Sequence, residues 1–582
     1  MIKYRTHTCN EITEEDVGKK VILSGFVKTI RDLGGCVFID LRDHYGITQL
    51  TTEDEKLLEQ IKSLKVESTI RVEGTVVKRP EDNINENLKT GKVEIEIACL
   101  EVLNDVLLPL PFEVDKSTEV KEDLRLQYRF LDLRNESIHQ KIVFRSKVLK
   151  ALREKMDQMG FVEIQTPILT SSSPEGARDF LIPSRIHPGE FYALPQAPQQ
   201  FKQLLMISGF DKYYQIAPCF RDEDPRADRS PGEFYQLDFE MAFATQEEVL
   251  AVLKEIATDI FTKLGHAKVS EDSFVEIPYK EAMETYGTDK PDLRNPLVLH
   301  DVTECFEGSG FKAFEDKTVK CIAIDSSSVT RRFFDEMAEY AKDGLGLKGL
   351  AWIKINEDGS VVGPIAKFLS EERVQKLYEI THAKENYGLF FVADRYEKAC
   401  KDAGLVRDEL GKRLNLIDPD IYKLCFIVDF PFYEKNDEGK IDFGHNPFSM
   451  PKGGLEALQN KNPLDIVAYQ YDMVCNGYEI ASGAVRNHDT RIMTKAFEIA
   501  GYSEETVKTK FGALYNAFKF GAPPHAGAAP GIDRIIMLLL GENNIREVIA
   551  FPKNSKARDL LMGAPAKVTE EQLRDVHIAL RK

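Results

Sequence analysis

The sequence predicts a multidomain α+β protein, and three observations support that prediction. The chain has 582 residues, which is too long for one hydrophobic core. Short alternating strand patterns dominate residues 1–108, whereas longer helix patterns alternate with apolar strands in the rest of the chain. Residues 298–420 have their own mixture of helix and strand patterns and interrupt the main fold. We therefore expect roughly two to four domains.

The composition is that of an ordinary globular protein, with 43% hydrophobic and 30% charged residues. No run of about eighteen apolar residues occurs, so we expect no membrane span. Residues 1–5 lack an apolar signal region, and the nine cysteines are scattered without a CxxC pair, which together favour a cytoplasmic location. The net charge of −18 argues against a protein that coats nucleic acid without specificity, but it does not exclude a local basic groove.

Five strand patterns and one helix pattern fill the N-terminal region. The strand patterns cover residues 21–27, 36–42, 47–51, 69–77 and 93–97, and the helix pattern covers 53–64. Three strands, a helix and two strands are the order of an OB-fold barrel, which binds single-stranded nucleic acid on its second and third strands. Arg31, Phe38 and Gln49 lie where that face would be. The alternative that Phe38 belongs to the barrel core stays open.

A hinge at residues 109–136 precedes a long amphipathic helix, which we expect over residues 137–159. Its start at Ser137 resembles a capping box, and Gly160 ends it. A strand is expected at residues 161–167. Helix and strand would present a continuous apolar face, which suits a two-fold dimer interface. Burial of this face inside one chain is the alternative.

A charged hairpin lies between two strand patterns, residues 213–217 and 234–243. Arg221 ends the first strand and Phe234 begins the second. A guanidinium group pairs well with a phosphate, and an aromatic ring offers a stacking face for a base, so the hairpin favours a nucleotide site. The alternative is a solvated surface hairpin with incidental ion pairs.

Two polar segments precede this hairpin. Residues 174–178 form a polar loop with a glycine hinge, and residues 194–202 bring Gln199, Gln200 and Lys202 to a helix start. A helix N-terminus with additional donors suits an anion. An ordinary capped helix start is the alternative.

Two later segments add candidate nucleotide contacts, whereas we assign no chemistry to the inserted block. Asp472 and Glu479 flank a turn, and two carboxylates beside a phosphate would suit Mg²⁺, although a pair of solvated acids is the alternative. Residues 521–534 are rich in small side chains and end on Arg534 at a helix start, which permits close approach to a nucleotide. Neither a P-loop signature nor GxGxxG occurs, so P-loop and Rossmann sites are excluded.

Three segments resemble the three motifs of class II aminoacyl-tRNA synthetases. They are the helix and strand of residues 137–167, the Arg221 hairpin with Phe234 and Glu240, and residues 531–534. The N-terminal barrel is similar to that of the aspartate, asparagine and lysine subgroup.

Further segments resemble the bacterial-type aspartyl-tRNA synthetases within that subgroup. They are residues 174–180, 349–354 and 521–527. The resemblance implies an OB-fold anticodon-binding domain, a catalytic domain on an antiparallel sheet and an inserted α+β domain. The implied ranges are 1–108 for the anticodon-binding domain, 109–136 for the hinge, 137–297 and 421–582 for the two parts of the catalytic domain with a C-terminal extension, and 298–420 for the insertion.

The resemblance also implies a two-step reaction. L-Aspartate would be activated with ATP to aspartyl-adenylate and pyrophosphate, and the aspartyl group would then pass to the 3′ end of tRNA-Asp. Such chemistry needs positioning and charge neutralisation rather than a nucleophilic side chain. Mg²⁺ is the implied cofactor and a homodimer the implied assembly. An enzyme that also charges tRNA-Asn and a synthetase-like RNA-binding protein without catalysis are the alternatives.

The implied roles fall on specific residues. Arg221, Glu479 and Arg534 would be catalytic. Aspartate would be bound by Glu175, Gln199, Gln200, Phe201, Lys202, Arg221, Asp238, His445 and Arg486. ATP would be bound by Arg221, Asp222, Glu223, Phe234, Glu479, Gly531, Ile532, Asp533 and Arg534, with Mg²⁺ on Asp472 and Glu479. The anticodon would be read by Arg31, Leu33, Phe38, Gln49 and Glu94.

Three positions differ among members of the family. Many bacterial members have Gln before the proline of the Arg221 loop, where this chain has Ser230 before Pro231 and Gly232. His445 is followed by Asn446 rather than by a second His, so only His445 is carried over. Members that charge both tRNA-Asp and tRNA-Asn often carry His where Leu33 stands, so Leu33 favours the discriminating form.

Overall fold

The chain divides into two compact units, Met1–Glu113 and Val114–Lys582, in a computed structural model. The structure describes residues 3–172, 177–223, 232–436 and 438–581. Within those residues, no helix is both long and apolar enough to cross a bilayer.

The N-terminal unit is a closed barrel with the strand order β1-β2-β3-β5-β4. Its elements are β1 (Lys20–Asp32), β2 (Val37–Arg42), β3 (Ile47–Thr52), α1 (Glu55–Ile61), β4 (Thr69–Lys78) and β5 (Val93–Asn104). Alternate strand residues such as Val21, Leu23 and Ile39 are fully buried, because side chains two residues apart share one face of a strand. The predicted OB-fold order of strands and helix is confirmed.

The second unit is built around an eight-stranded sheet with the order β12-β19-β22-β23-β24-β10-β9-β6. These strands are β6 (Val162–Glu163), β9 (Lys212–Arg221), β10 (Gly232–Ala242), β12 (Val275–Pro278), β19 (Leu424–Val428), β22 (Gln470–Cys475), β23 (Tyr478–Val485) and β24 (His525–Pro530). The neighbours pair antiparallel except for β12 with β19 and β6 with β9. This order makes β23, β24 and β10 adjacent although they are far apart in sequence.

Helices cover this sheet and the loops around it. They are α2 (Glu122–Gln127), α3 (Arg129–Asp132), α4 (Glu136–Gln158), α5 (Gln199–Ile207), α6 (Gln246–Leu264), α7 (Tyr279–Tyr286), α11 (Gly454–Asn460), α12 (Thr490–Ile499), α13 (Glu504–Lys510), α14 (Gly512–Ala517), α15 (Ile532–Leu539) and α16 (Glu570–Asp575). Short strands complete the unit: β7 (Leu181–Pro183), β8 (Phe191–Ala193), β11 (Lys268–Val269), β18 (Ile421–Tyr422), β20 (Tyr433–Lys435) and β21 (Ile441–Phe443).

The main core lies between the sheet and the long helices α4, α6 and α15. Val148 and Leu152 of α4, Leu253 of α6 and Ile536 of α15 are all fully buried within it. Burying each such side chain stabilises the fold by roughly 1.5–3 kcal/mol. The cluster therefore holds the sheet strands that carry the candidate site in a fixed frame.

The insertion is a five-stranded antiparallel sheet with helices on both faces. Its elements are β13 (Leu299–Asp301), β14 (Thr318–Asp325), α8 (Arg331–Asp343), β15 (Ala351–Ile355), β16 (Val361–Val362), α9 (Glu371–Thr381), β17 (Tyr387–Asp394) and α10 (Tyr396–Arg413). Phe334 of α8 and Val406 of α10 belong to one core, and Leu377 of α9 belongs to a second. The α+β character predicted for this block is confirmed.

Several element boundaries differ from the prediction. The strands β1 and β5 extend to Asp32 and Asn104, beyond the predicted residues 27 and 97. The cap of α4 is Asn135, whose Oδ1 accepts a hydrogen bond from the Ser137 amide, so Ser137 lies inside the helix and is not its cap. The strand expected over residues 161–167 is only β6, although the Ile164 amide still donates to the Tyr214 carbonyl oxygen of β9 at 3.0 Å. The ends of elements are difficult to predict because several local hydrogen bonds compete there.

Candidate active site

Two adjoining cavities lie over the strands β9, β10, β23 and β24. The larger has a volume of about 380 Å³ and the smaller about 140 Å³. They share the lining residues Arg221, Gln236 and Ala529. The positively charged Arg221 side chain therefore lies between the two cavities. A molecule that filled both cavities would pass Arg221.

Arg221 and Phe234 form the first wall of the larger cavity. Arg221 ends β9, and Phe234 lies on the facing strand β10, with the guanidinium carbon 5.0 Å from the ring centroid. Arg221 Nε also donates to the Gln196 carbonyl oxygen at 3.4 Å. A cation beside an aromatic face is suited to a molecule with both an anionic group and a planar ring.

Arg534 and Glu479 form the opposite wall. Arg534 lies in the first turn of α15, and its Nη1 donates to the Glu479 carbonyl oxygen at 2.7 Å. The same nitrogen lies 3.9 Å from the Glu479 carboxylate. The helix N-terminus adds partial positive charge, so this wall also favours an anion.

Asp472 and Glu479 lie on the adjacent strands β22 and β23. Asp472 is buried, and burial raises the pKa of its carboxyl well above the ordinary value, with a smaller contribution from Glu479. Its Oδ1 has no hydrogen-bond partner among the described residues. No group of three or more His, Cys, Asp or Glu side chains in the described parts of the chain is arranged to hold a metal. The pair therefore fits a cation that takes its remaining ligands from phosphate and water, as Mg²⁺ does.

Four buried charges form a cluster at the smaller cavity: Lys202, Asp238 and Arg486 line it, and Glu240 bonds to the two cations. Lys202 Nζ lies 2.7 Å from Asp238 Oδ1 and 3.5 Å from Glu240 Oε2. Arg486 Nε lies 2.9 Å from Glu240 Oε1, and its Nη2 lies 3.2 Å from Oε2. Lys202 and Arg486 are each only 2% exposed. Such buried charges are tolerated because each has a close partner of opposite sign.

Local structure explains why these side chains meet. Asp238 and Glu240 are two residues apart on β10 and therefore share one face of the strand. Gln199 and Lys202 are three apart on α5 and share its buried face. Arg486 follows β23 directly.

The two acids differ in their electrostatic environment. Burial raises the pKa of Asp238 despite the attraction of Lys202. Burial also acts to raise the pKa of Glu240, but Arg486 and Lys202 outweigh it, so that pKa lies below its ordinary value. Asp238 Oδ2 and Gln199 Nε2 are buried and have no hydrogen-bond partner in the described structure. These two atoms are suited to contact a bound polar molecule.

The other residues predicted to bind aspartate lie in a separate cavity, in the smaller cavity or outside the described residues. Gln200 and Phe201 line a separate cavity of about 100 Å³, so the structure does not bring them to the Lys202 site. His445 lines the smaller cavity and contacts Phe430 at a centroid distance of 4.9 Å. Glu175 lies outside the described residues, as do Ser230 and Pro231 of the hairpin loop.

The remaining residues predicted to bind ATP also differ in position. Glu223 and Gly531 line the larger cavity, whereas Asp222 is exposed and does not line it. Ile532 is fully buried in the main core. Asp533 lines the cavity but accepts hydrogen bonds from Arg145 and from the Tyr235 amide. Asp533 therefore connects α15 to α4 and β10.

Among the predicted anticodon residues, Arg31, Gln49 and Glu94 form one hydrogen-bonded row on the barrel. Arg31 Nη2 donates to Gln49 Oε1 at 3.0 Å, and Gln49 Nε2 donates to Glu94 Oε2 at 2.6 Å. Phe38 lies opposite Arg31 on β2, is half-buried and does not belong to the barrel core cluster. Leu33 is 72% exposed in the β1–β2 turn. The alternative of Phe38 as a core residue is therefore wrong.

Sequence reasoning missed several residues of the site. Glu240 was recognised as part of a motif but not as a partner of both buried cations. Its spacing of two from Asp238 was a signal that could have identified it. Gln236 and Lys290 line the larger cavity without any local pattern that points to them.

Two family models match the chain. The model described as tRNA synthetases class II (D, K and N) matches residues 121–555, and the OB-fold nucleic acid binding domain matches residues 21–103. The aspartate–tRNA ligase of Streptomyces coelicolor is 55% identical over 585 residues, covering 100% of this chain and 99% of that protein. The aspartate–tRNA(Asp/Asn) ligase of Rickettsia felis is 54% identical over 594 residues, covering 100% and 98%.

Solved structures resemble the chain over nearly its whole length. Asparaginyl-tRNA synthetase from Pyrococcus horikoshii, complexed with asparaginyl-adenylate, has a TM-score of 0.58 at 19% identity and covers 95% of this chain and 98% of its own. Aspartyl tRNA synthetase from Entamoeba histolytica has a TM-score of 0.56 at 21% identity and covers 93% and 90%. At these identities the likeness concerns the fold alone.

Proposed function

The chain belongs to the class II tRNA synthetases for aspartate, lysine and asparagine, and within them to the aspartate–tRNA ligases, and from this premise we propose how its two cavities work. The larger cavity binds ATP, and the smaller binds L-aspartate. The main support for this assignment is that Arg221 lines both cavities. It stands where the α-carboxylate of aspartate would meet the α-phosphate of ATP. A cation at that meeting point lowers the barrier to adenylate formation by stabilising developing negative charge.

The nucleotide is bound by contacts of three kinds. Phe234 stacks on the adenine, Arg221 pairs with the α-phosphate, and Arg534 pairs with the terminal phosphates. The cation–π contact of Arg221 with Phe234 supports this arrangement, because it holds both groups on one side of the cavity. Asp472 and Glu479 would hold Mg²⁺, whose chemistry here is to offset the negative charge of the phosphates.

Aspartate is selected by a balance of charge. Three cations, Lys202, Arg221 and Arg486, line the smaller cavity together with the acid Asp238, and the buried Glu240 pairs with Lys202 and Arg486. The aspartate zwitterion would add one ammonium and two carboxylates, so positive and negative charges would be equal. Asparagine would add one carboxylate fewer and leave a buried cation unbalanced, which costs several kcal/mol and permits rejection without editing.

The α-amino group of aspartate has its own partner in this proposal. Asp238 Oδ2 is a buried oxygen without a hydrogen-bond partner among the described residues, and it would accept from the substrate ammonium. Gln199 would assist from α5. Lys202 and Arg486 are then available to the side-chain carboxylate, with His445 beside them.

The choice of tRNA is tested first by charging purified tRNA-Asp and tRNA-Asn side by side. We propose that the enzyme discriminates, and we expect aspartylation of tRNA-Asp only. The exposed position of Leu33 in the β1–β2 turn supports a contact with RNA. Relatives named for one tRNA and for both are nearly equally similar to this chain, so overall identity does not decide the question.

A Leu33→His variant provides the matched comparison. We expect this variant to charge tRNA-Asn as well as tRNA-Asp. It should retain most of its activity on tRNA-Asp, because the substitution lies in an exposed turn and does not disturb the barrel core. Comparable charging of both tRNAs by the unaltered enzyme would show that it is non-discriminating and that Leu33 is not the determinant. Failure to form aspartyl-adenylate at all would favour the RNA-binding alternative instead.

We further propose that anticodon reading and activation belong to separate domains. The proposed ranges are 1–108 for anticodon binding, 109–136 for the hinge, 137–297 and 421–582 for catalysis, and 298–420 for the insertion. The division of the chain near residue 113 supports the first boundary. The five strands of the insertion pair only with one another among the described strands, which supports the boundaries of the insertion.

Phe38→Ala tests this separation. Stacking of one base on an aromatic ring is worth roughly 1–3 kcal/mol, so we expect kcat/KM for tRNA-Asp to fall about 5- to 100-fold. Adenylate formation, measured by ATP–pyrophosphate exchange without tRNA, should be unchanged. Tyr4→Ala, which removes an exposed aromatic side chain of the same unit, is the matched control and should change neither assay. An equal loss in both assays for Phe38→Ala would contradict the modular proposal.

We also propose a homodimer through α4 and β6, the predicted unit of residues 137–159 and 161–167. The strand β6 is the edge of the large sheet, and Val162 on it is half exposed. Exposed edges of this kind are commonly covered by a second chain. Sedimentation equilibrium that gave the monomer mass of 66.0 kDa at micromolar concentration would contradict the proposal.

A further inference from the structure

Lys290 lines the larger cavity but has no part in the scheme above. It lies in the segment between α7 and β13 that leads into the insertion. Its Nζ is 2.5 Å from Asp289 Oδ2 and 3.4 Å from Glu479 Oε2. Glu479 is one of the two carboxylates assigned above to Mg²⁺, and Lys290 lies beside its Oε2 whereas Arg534 lies beside its Oε1.

Acidic side chains surround Lys290. Its ammonium contacts Asp289 and Glu479, and Asp472 lies on the strand that pairs with that of Glu479. The ammonium is therefore held by carboxylates at the edge of the cavity. The lysine stem has four rotatable carbons, so the ammonium can move between acceptors without movement of the backbone.

We propose that Lys290 is a third cation of the nucleotide site, in addition to Arg221 and Arg534. Its ammonium neutralises Glu479 in the nucleotide-free enzyme and turns to the terminal phosphates of ATP once that carboxylate holds Mg²⁺. The physical reason is that an ammonium and a divalent cation repel each other at a shared carboxylate, whereas the phosphates offer new acceptors a short distance away. This inference rests on the ATP site proposed above.

The insertion holds the backbone that carries Lys290. Arg407 of α10 is fully buried, and its Nη2 donates to the carbonyl oxygens of Asp292 at 3.0 Å and Asn295 at 2.7 Å. Its Nε donates to the Leu297 carbonyl oxygen at 2.5 Å. Three carbonyls just after Lys290 are thus fixed by one guanidinium group. The insertion, to which the sequence analysis assigned no chemistry, thus supports a residue in the ATP site.

The same segment also abuts the turn that precedes Glu479. Gly477 has a φ of +87°, and a Cβ added there would lie 3.5 Å from Asp292 Cβ and 3.9 Å from the Lys290 carbonyl oxygen. A Cβ at position 477 would thus just reach the Lys290 segment, so the turn before Glu479 and this segment run close to each other. A side chain larger than a methyl group at position 477 would press against the segment that carries Lys290.

The first test measures ATP affinity by calorimetry with Mg²⁺ for the unaltered enzyme, Lys290→Met and Lys290→Arg. A hydrogen bond to a charged group is worth roughly 1.5–3 kcal/mol, so we expect Lys290→Met to bind ATP about 10- to 100-fold more weakly. Lys290→Arg should recover most of the affinity. Lys280→Met removes an exposed lysine on α7 and is the matched control, for which no change is expected.

The second test titrates the nucleotide-free enzymes with Mn²⁺ and follows the free ion by EPR. Lys290→Met should raise the affinity of one site by roughly threefold or more, because the competing ammonium is gone. Adding Glu479→Gln to that variant should abolish the gain, which distinguishes this site from other surface acids. If Lys290 had only a structural role, Lys290→Met would bind both ATP and Mn²⁺ more weakly. The proposal instead predicts weaker ATP binding and tighter Mn²⁺ binding in that variant.

The outcomes separate this inference from the proposed function. If the unaltered enzyme binds no ATP, the nucleotide site itself is wrong. If it binds ATP and Lys290→Met matches Lys280→Met in both assays, the role of Lys290 is wrong. For the insertion, Arg407→Lys retains the charge but not the three carbonyl contacts, and its effect on ATP affinity should be non-additive with Lys290→Met. Additive effects would overturn the link through Arg407.

Discussion

Arg486→Ala is expected to lower kcat/KM for aspartate roughly 100- to 1000-fold in ATP–pyrophosphate exchange. Arg486 is buried and bonds to both oxygens of Glu240. Removing one member of a buried charge pair costs about 3–5 kcal/mol, and in our proposal the guanidinium also contacts the substrate carboxylate. The affinity for ATP should change much less, because Arg486 does not line the larger cavity.

The control must separate lost recognition from lost folding. Arg486→Ala leaves Glu240 buried with Lys202 as its remaining cation at 3.5 Å, so the variant will also be less stable. Arg486→Leu combined with Glu240→Gln removes both charges and should restore most of the thermal stability without restoring aspartate use. Recovery of aspartate activity in that double variant, or an unchanged KM and kcat in Arg486→Ala, would show that Arg486 has only a structural role.

The fold was predictable where one local signal dominated. Helix α6 is an element of this kind, because Thr245 and Glu248 form a reciprocal capping box and the apolar face repeats without interruption. The start of α4 was less predictable, because Asn135 and Ser137 are both good caps two residues apart. Strand β6 ends early because it is the edge of the sheet and pairs only with β9, a fact of tertiary structure.

The site was predictable to the extent that its residues are close in sequence. Arg221 and Phe234 belong to one hairpin, so their spacing already indicates that they face each other. Lys202 and Asp238 are 36 residues apart, and Arg486 and Glu240 are 246 apart. Those pairs depend on the strand order of the large sheet, which a single sequence does not reveal. Lys290 depends further on the insertion that supports it.

Arg221→Met should have the other large effect, a fall in kcat for adenylate formation of about 100- to 1000-fold. Arg221 lines both cavities and therefore stands where negative charge develops as the aspartate carboxylate attacks the α-phosphorus. Losing one donor at such a position typically costs roughly 3–4 kcal/mol of transition-state stabilisation. Single-turnover formation of aspartyl-adenylate at saturating substrates measures this step directly.

The distribution of the effect between kcat and KM tests the role more sharply than its size. A residue that bound ATP equally in the ground and transition states would raise KM and leave kcat unchanged. We expect that pattern for Arg534→Met, because Arg534 lines only the larger cavity and lies beside Glu479. For Arg221→Met, kcat should fall while the dissociation constants of ATP and aspartate, measured separately, rise less than about tenfold. If the two variants instead share a pure KM effect, Arg221 is a binding residue and the transition-state charge must be stabilised by other groups in the larger cavity.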